Sequence, residues 1–230
     1  MKPSLNKVPK HVAIVLDGNR RFAKRLMLKP FKGHEWGAKK IQQLFEWCKE
    51  FGIHELTLYA FSVENFNRPK AEFDYLMNLF VKEFQRCMQD ARIHTNKIRI
   101  NFVGRVWMFP KKVQDAMQDL VDETKNYSDY VVNFAMGYGG RQEIVDAVNK
   151  ILKTGAKKVD EKIISENLYL SSEPDMIIRT GGEQRTSNFL PWQGIYSEYI
   201  FLKINWPEFE KEDFVRCITE FGLRERRFGR

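Results

Sequence analysis

The sequence has no long apolar run and few cysteines, and both absences exclude kinds of protein. No apolar stretch is long enough to cross a bilayer, and the polar first ten residues lack the apolar core of a signal peptide. Three widely spaced cysteines, Cys48, Cys87 and Cys217, form neither a disulfide framework nor a zinc-binding pattern. We therefore expect a cytoplasmic protein with reduced thiols and no zinc site.

Nucleotide-binding motifs are also absent. The chain contains neither G-x-G-x-x-G nor G-x-x-x-x-G-K-[ST], so dinucleotide and Walker-type sites have no support. Lys and Arg outnumber Asp and Glu by 38 to 30, a net charge of +8. That balance suits diphosphates, anionic lipid headgroups or nucleic acid, but no nucleic-acid-binding motif favours the last. Without repeats or linkers, residues 1–230 are predicted to form one domain.

Short apolar segments alternate with helical patterns along most of the chain. Such alternation predicts an α/β fold, with a six-stranded, mostly parallel sheet surrounded by helices. The predicted strands are Val12–Leu16, Leu56–Phe61, Ile98–Val103, Val131–Ala135, Met176–Ile178 and Tyr199–Leu202. The predicted helices are approximately Gly37–Phe51, Lys70–Thr95, Lys111–Asn126, Arg141–Leu152 and Glu161–Leu168.

A polar cluster, Asp17-Gly18-Asn19-Arg20-Arg21, follows the first apolar run. The carboxyl end of a parallel strand is where open α/β sheets bind ligands. The Asp17 carboxylate suits Mg²⁺, and the two arginines are forked donors for phosphate. The cluster therefore indicates a metal–diphosphate site. On these residues alone, a strand-to-helix turn capped by Asp17 is an equally good interpretation.

A second cluster follows the apolar run at 176–178 and combines a glycine pair with two arginines. Gly181 and Gly182 allow close approach of a ligand to the backbone, and Arg179 and Arg185 can each contact a phosphate. Two phosphate-type sites at two strand ends indicate two phosphorylated substrates.

Together these residues resemble one family, the cis-prenyltransferases of the undecaprenyl and dehydrodolichyl diphosphate synthase type. The resemblance extends from about Val8 to Gly229, in five blocks with the family's order and spacing. The matching residues are Asp17–Arg21, Gly33, His34, Tyr59–Pro69, Ile178–Phe189, Trp192, Gln193, Tyr196–Glu198 and Arg226–Gly229.

The resemblance implies repeated condensation of isopentenyl diphosphate onto an allylic prenyl diphosphate, with Mg²⁺ as cofactor and a Z double bond formed at each step. It also implies a hydrophobic tunnel for the growing chain, a homodimer, and an enzyme that contacts membrane lipid from outside, peripherally. Trans-type synthases use aspartate-rich motifs, whereas this chain has no Asp-Asp pair.

The resemblance also assigns roles to individual residues. Asp17 and Glu198 would be metal ligands, and Asn65 would orient the substrate near the departing proton, because an amide is a poor base. The residues assigned to allylic diphosphate are Gly18, Asn19, Arg20, Arg21 and His34, and those assigned to isopentenyl diphosphate are Arg179, Arg185, Thr186 and Ser187. The remaining substrate-binding assignments are Phe22, Ser62, Val63, Glu64, Phe66 and Arg68, together with Arg227 and Gly229, which would reach the partner subunit's site.

Product length is the least constrained part of this interpretation. The Lys70–Thr95 helix would be about 35 Å long and would line the tunnel, although an ordinary core helix explains its pattern equally well. Ala60 is small where, in the family, a bulky residue near the tunnel mouth accompanies short products. We expect a long-chain synthase. A short-chain synthase and a non-catalytic partner subunit are the alternatives.

Two positions differ from the family pattern. Many members carry Arg where this chain has Pro30, and Lys29 or Lys32 would have to supply that charge. Bacterial members often have His where this chain has Gln184, so an imidazole contribution is absent there.

Overall fold

The computed structural model of the protein describes residues 7–224. A six-stranded sheet in which every pair of neighbours is parallel confirms the predicted α/β fold. Its strands are β1 (His11–Val15), β2 (Glu55–Ser62), β3 (Ile98–Val103), β4 (Tyr130–Tyr138), β5 (Met176–Arg179) and β6 (Glu198–Phe201).

Eight α-helices lie in the same part of the chain. They cover the sheet and connect its parallel strands. They are α1 (Asn19–Arg25), α2 (Gly33–Phe51), α3 (Lys70–Met88), α4 (Ala91–Thr95), α5 (Lys111–Thr124), α6 (Gly140–Lys153), α7 (Glu161–Asn167) and α8 (Lys211–Leu223).

The order of the strands, β3-β4-β2-β1-β5-β6, creates one crevice. The chain leaves β1 toward β2 on one side, and leaves β5 toward β6 on the other. Neighbouring strands whose connections diverge open a crevice at their carboxyl ends, where α/β sheets bind ligands. Asp17 follows β1 and Gly181 follows β5, so the two predicted clusters meet at this point.

Burial on both faces of the sheet explains why the sequence of β1 is a nearly continuous apolar run. Val12 and Ile14 pack into the core beneath α2, α3, α5 and α8, whereas Ala13 and Val15 face a smaller cluster with Tyr138 and residues of the 189–190 loop. All five residues of β1 are buried. Such a strand has no solvent face, and its sequence shows no polar alternation.

The predicted Lys70–Thr95 helix is wrong in its length. Asp90 interrupts it, accepting a hydrogen bond from Arg92 N at 3.0 Å and capping α4. An Asp that bonds its own neighbouring backbone favours a cap over a helix interior. As a result α3 has 19 residues, about 28 Å rather than about 35 Å.

Two further helices were not among the predicted ones. The α1 helix has seven residues, too few to show a periodic pattern. The α8 helix does show one, because Phe214, Cys217, Ile218 and Phe221 follow helical spacing and are buried. Within residues 7–224, no helix is both long enough and apolar enough to traverse a membrane.

Candidate diphosphate site at the mouth of an apolar cavity

The Asp17 carboxylate lies at the centre of the crevice between β1 and β5. Its Oδ1 accepts hydrogen bonds from Gly18 N at 2.6 Å and from Arg21 Nη2 at 3.0 Å. Its Oδ2 accepts one from Arg179 Nη2 at 3.0 Å. A strand-to-helix turn does follow β1, but Gly18 rather than Asp17 caps α1. Asp17 therefore connects the two cationic clusters.

Glycines make this convergence possible. Gly181 has φ 88°, and a Cβ there would collide with the Arg21 guanidinium and the Asp17 backbone. Arg21 Nη2 instead donates to Gly181 O at 2.7 Å. Gly18 has φ 103° and lies against Asn205, which leaves no space for a side chain. Both positions therefore require glycine.

Arg179 differs from its predicted role as a direct phosphate donor. Its side chain is 6% exposed, and it donates to Arg185 O, to Ser187 Oγ and to Asp17. The guanidinium thus ties Asp17 to the loop that follows β5. Arg185 is 61% exposed and pairs with Glu183 Oε2 at 2.6 Å. Arg185 and the exposed Thr186 are consequently open to a ligand.

A second group of cations lies between α1, α2 and α3. Arg68 Nη1 donates to Glu72 Oε1 at 2.8 Å and lies 3.3 Å from His34 Nε2, and Arg20 Nε lies 3.9 Å from the same Glu72 oxygen. Burial, with Arg68 and Arg20 adding to it, lowers the pKa of His34 to about 3. His34 is therefore neutral near pH 7, and its Nε2 is an acceptor for Arg68.

Asn65 belongs to a 3₁₀ helix, Val63–Asn67, immediately after β2. Its Oδ1 accepts a hydrogen bond from Ser62 N at 3.2 Å. With that oxygen occupied, the side-chain NH₂ remains as a donor toward a ligand. The exposed Glu64 and half-buried Val63 lie in the same turn.

The two aromatic residues assigned to the substrate pack elsewhere. Phe66 packs against Phe61, Phe73 and Phe109, and Phe22 packs against Trp36 with ring centroids 5.6 Å apart. Neither lines the cavity described next. In this structure both are packing residues.

An apolar cavity of about 250 Å³ extends inward from Asp17. Polar groups line its mouth, including Asn19, His34, Ser62, Asn65 and Arg68. Helices α2 and α3 form two walls, and the sheet forms a third. The apolar wall residues include Ile41, Phe45, Ala60, Leu76, Leu79, Phe80, Phe84, Phe134 and Met136. A charged mouth above an apolar interior suits a ligand with a phosphorylated head and a hydrocarbon tail.

Ala60 lies at an irregularity in the pairing of β2 with β4. Tyr59 pairs with Ala135 and Phe61 with Met136, so one extra residue is accommodated in β2. Bulges of this kind redirect side chains and are frequent beside active sites. Here the extra residue places Ala60 in the cavity wall.

Glu198 is not brought to Asp17. It is the first residue of β6 and pairs with Met176, the first of β5, whereas Asp17 lies beyond the last residue of β1. A strand rises about 3.3 Å per residue, so the two carboxylates lie at opposite ends of the parallel strands, Glu198 at the amino ends and Asp17 at the carboxyl ends. Glu198 Oε2 instead accepts from Arg224 Nη1 at 2.8 Å. Within one chain, these two residues do not form the predicted metal pair.

A magnesium site in this chain would therefore depend on Asp17. No group of three or more His, Cys, Asp or Glu side chains between residues 7 and 224 is arranged to hold a metal. Mg²⁺ commonly takes one or two carboxylates together with water and substrate phosphates. A carboxylate has about four acceptor positions, and three are used at Asp17. The donor set fits Mg²⁺ bound jointly with a diphosphate.

Three residues of the site were missed from the sequence. Glu72 is 6% exposed and holds Arg68. Tyr59 donates through its hydroxyl to Tyr138 O at 3.2 Å and Ser187 O at 3.4 Å. Trp206 N donates to Asp17 O, and its indole to Gly37 O, both at 2.9 Å. The Arg68–Glu72 pair has an i,i+4 spacing that the sequence contains, whereas the contacts of Tyr59 and Trp206 join residues far apart in the chain.

Two further predictions concern the C-terminal residues and the lysines that flank Pro30. Arg227 and Gly229 lie outside the described residues. Of the lysines that flank Pro30, Lys32 Nζ pairs with Glu35 Oε1 at 2.9 Å, whereas Lys29 is exposed.

Comparison with known proteins identifies the family. Residues 15–229 match the family model described as "Putative undecaprenyl diphosphate synthase". The chain is 48% identical to a tritrans,polycis-undecaprenyl-diphosphate synthase (geranylgeranyl-diphosphate specific) of Pyrococcus abyssi, over 97% of this chain and 88% of that protein. It is 44% identical to an isoprenyl transferase of Thermus thermophilus, over 97% and 89%.

Two solved structures have the same fold. Lavandulyl diphosphate synthase from Lavandula x intermedia, in complex with dimethylallyl diphosphate, has a TM-score of 0.92 at 30% identity, over 97% of this chain and 99% of that one. A probable undecaprenyl diphosphate synthase from Campylobacter jejuni has a TM-score of 0.84 at 33% identity, over 97% and 100%. The chain belongs to the undecaprenyl diphosphate synthase family of cis-prenyltransferases.

Proposed function

We propose that the protein is a Mg²⁺-dependent, long-chain cis-prenyl diphosphate synthase that adds isopentenyl diphosphate repeatedly to an allylic diphosphate. The observation that supports this is the position of Asp17 and its arginines at the mouth of the apolar cavity. A diphosphate held at the mouth directs its hydrocarbon chain into the cavity. Each condensation then lengthens the chain within apolar walls.

Geranylgeranyl diphosphate is the proposed primer, and a product of undecaprenyl length is the proposed outcome. Relatives that are 48% and 46% identical, from Pyrococcus abyssi and Methanocaldococcus jannaschii, are named as geranylgeranyl-diphosphate-specific undecaprenyl diphosphate synthases. The tail of such a primer would enter the cavity between α2 and α3. Ala60 leaves the wall open near the mouth.

The allylic diphosphate is assigned to the cations of α1 and their neighbours. Arg20 and Arg21 are half or more exposed, and they would bind phosphate oxygens in place of part of their carboxylate contacts. Neutral His34 and the exposed Lys29 would add polar contacts at the same mouth. As the allylic carbon–oxygen bond breaks, these fixed donors stabilise the charge that develops on the diphosphate.

Isopentenyl diphosphate is assigned to the loop after β5. Arg185, Thr186 and Ser187 would bind its diphosphate, and Arg179 acts as a positioning residue that fixes this loop to Asp17. The alkene attacks the allylic carbon, and a proton then leaves C2 to a diphosphate oxygen. The Asn65 NH₂ orients the alkene, because the Asn65 oxygen is already occupied by Ser62 N.

Mg²⁺, when bound, neutralises charge on the departing diphosphate. The protein would contribute Asp17, whose carboxylate accepts three hydrogen bonds and has one acceptor position left for the metal. Arg21 and Arg179 hold the carboxylate in place by hydrogen bonds from both sides.

The active assembly is proposed to be a homodimer, with Arg227 and Gly229 completing the neighbouring site. Deletion of residues 227–230 should then lower turnover more than it lowers the melting temperature. Sedimentation velocity measures the oligomeric state of the same samples. A fully active monomer would contradict this part of the proposal.

A short-chain product is the second candidate. The neighbour with a TM-score of 0.92 is a lavandulyl diphosphate synthase, so the fold is shared by enzymes of different product type. Incubation with Mg²⁺, isopentenyl diphosphate and each of four primers (dimethylallyl, geranyl, farnesyl and geranylgeranyl diphosphate), followed by chromatography of the products, separates the two. Long products with geranylgeranyl diphosphate are expected. One or two additions with every primer would establish the short-chain alternative.

A further inference from the structure

The turn that joins α1 to α2 carries three exposed apolar side chains, Leu26, Met27 and Leu28, which we call the tip. Met27 is 95% exposed, and Leu26 and Leu28 are 42% and 43% exposed. Water-exposed apolar side chains are common singly, but three in succession at one turn form a larger exposed apolar surface, of the kind that marks a contact site.

The tip has a defined conformation. Leu28 N donates to Ala23 O at 2.9 Å, and Met27 N donates to Lys24 O at 3.0 Å. Met27 has φ 56°, a left-handed conformation that is uncommon for a residue other than glycine. The backbone therefore holds the Met27 side chain outward.

The tip lies within the most basic part of the chain. Residues 19–40, which we call the basic segment, contain eight Lys and Arg against one acid, Glu35, a net charge of +7 out of the whole chain's +8. Arg25 and Lys32 form ion pairs with Glu208 and Glu35. Lys24, Lys29 and Lys39 are exposed. Arg20, Arg21 and Lys40 also pair with acids outside the segment, so the exposed lysines supply the accessible positive charge near the tip.

An aromatic side chain lies beside these cations. Trp36 is 51% exposed, packs against Phe22, and has the Lys39 ammonium 5.9 Å from its ring centroid. Trp and Lys together are typical of surfaces at the lipid headgroup level, where the ring contacts acyl chains and the charge contacts phosphate.

The tip and the cavity mouth lie at the same end of the molecule. The tip connects the end of α1 to the start of α2, and Asn19 and His34, near the two outer ends of this stretch, both line the cavity. A surface that contacts the tip would therefore lie next to the mouth.

We propose that the tip inserts into the headgroup region of an anionic lipid bilayer, with the basic segment around it binding lipid phosphates. The inference rests on the proposed function insofar as a lipid product gives the contact its purpose. Anionic lipid matches both halves of the surface, because nucleic acid would leave the apolar tip without a partner. Two copies meeting here would bring the exposed lysines of both copies together.

Vesicle co-sedimentation tests the proposal directly. The probes are phosphatidylcholine vesicles with and without about one third phosphatidylglycerol, at low salt and at about 1 M salt, where screening acts within about 3 Å. We expect the wild type to bind only the anionic vesicles, and to be released by salt. Leu26→Ser/Met27→Ser/Leu28→Ser and Lys24→Gln/Lys39→Gln should each lower the partition coefficient by about tenfold or more.

The α6–α7 turn provides control variants of similar chemistry, with two exposed apolar residues and two exposed lysines. Leu152 and Val159 are 63% and 47% exposed, and Lys153 and Lys158 are exposed beside them. Because α6 starts at the carboxyl end of β4 and runs back along the sheet, this turn lies near the amino ends of the strands, away from the cavity mouth. Leu152→Ser/Val159→Ser and Lys153→Gln/Lys158→Gln should bind vesicles as the wild type does.

Insertion itself is measured by an environment-sensitive dye at Met27→Cys, with Val159→Cys as the control. Cys48 and Cys217 are buried and Cys87 is half-buried, so the introduced thiol is the one most open to labelling. Anionic vesicles should shift the emission of the Met27 dye to shorter wavelength and leave the control dye unchanged.

The proposal is overturned if the tip variant and its control bind anionic vesicles equally, or if the wild type does not bind anionic vesicles at low salt. Vesicle binding that the lysine variant loses but the tip variant keeps would show electrostatic adsorption without insertion and would also overturn the proposal. A change of oligomeric state in the tip variant would indicate contact between copies. Vesicle binding needs no turnover, so failure to make long products would refute the proposed function and leave this inference standing.

Discussion

Arg179, the last residue of β5, donates a hydrogen bond of 3.0 Å to Asp17, two residues beyond the end of β1. The sequence suggests two separate phosphate sites, whereas this contact makes them one connected cluster. Because the Arg179 side chain is 6% exposed, Asp17 also balances a buried cation. Asp17 therefore has a structural role in addition to its proposed role in catalysis.

Asp17→Asn should lower turnover at least a hundredfold and also destabilise the fold. The catalytic loss follows from removing the carboxylate of the proposed metal site. The loss of stability, about 3 kcal/mol, follows from leaving the buried Arg179 charge unpaired. Steady-state kinetics and urea unfolding measure the two effects.

Glu183→Gln is the matched control for Asp17→Asn, because Glu183 forms exposed ion pairs in the same cluster. It should change stability by less than about 1 kcal/mol. Wild-type turnover of Asp17→Asn, or full wild-type activity in EDTA, would show that no metal acts through this carboxylate.

Arg185→Ala and Arg21→Ala should separate the two substrates. Arg185 is 61% exposed and is held by Glu183, so its removal should raise KM for isopentenyl diphosphate and leave the melting temperature nearly unchanged. Arg21 lies on α1, and its removal should act mainly on the allylic substrate. Each lost charge-assisted contact should cost about 1.5–3 kcal/mol, or roughly 10- to 150-fold in kcat/KM. Equal effects of both variants on one substrate would contradict the assignment.

His34 should make the protein less stable in acid. Its pKa is about 3 in the folded state, against 6.5 for an ordinary histidine, because burial and the nearby Arg68 and Arg20 disfavour the charged ring. The unfolded chain therefore binds the proton more readily between these two values. The stabilisation is complete above pH 6.5 and is lost as the pH falls toward 3.

Urea unfolding at pH 7.5 and pH 5 tests whether the free energy of unfolding falls as the pH falls. Between these two pH values, the free energy of unfolding of His34→Gln should fall by about 2 kcal/mol less than that of the wild type. The control is His54→Gln, since His54 is exposed and remote from the mouth. A wild type and a His34→Gln variant with identical pH dependence would show that His34 titrates normally in the folded protein.

The fold was predictable because apolar strand segments alternate with helical patterns along the chain. Strands that are buried on both faces of a parallel sheet appear in the sequence as continuous apolar runs. The site was predictable as far as residues after β1 and β5 are concerned, since the two strand ends fall at one crevice. The Asp90 break between α3 and α4 was missed, because Phe84, Cys87 and Ala91 continue the apolar spacing across it. Glu198 directly precedes the predicted strand Tyr199–Leu202, so the sequence itself puts it at the amino end of that strand, and only the family resemblance assigned it to the metal.

Contacts between side chains were the least predictable part. Arg179 was expected to face a phosphate, yet three protein groups occupy its terminal nitrogens. Glu72 follows Arg68 by four residues, a local spacing that allows an ion pair, but its burial and its second contact, with Arg20 of α1, follow only from the packing of α1 against α3. Such assignments depend on the distances between elements, which no local pattern contains.

Ala60→Leu should shorten the product. Ala60 lines the cavity at the β2 bulge, close to the mouth, and a leucine there would project into the path of the growing chain. Packed neighbours such as Phe80, Phe61 and Met136 leave little room to yield, and overpacking an apolar wall costs about 1–3 kcal/mol. The distribution should therefore shift toward products with few additions, while kcat/KM for the first condensation onto the short primer dimethylallyl diphosphate changes little.

Ala156→Leu is the control, because Ala156 lies in the α6–α7 turn away from the cavity. Chain length is measured by chromatography of the products from geranylgeranyl diphosphate, at limiting and at saturating isopentenyl diphosphate. Since α3 spans about 28 Å, a product of about ten or more units must coil or leave the cavity, and this places the main obstacle to growth near the mouth. An unchanged product distribution in Ala60→Leu would mean that the chain grows along another face of α3.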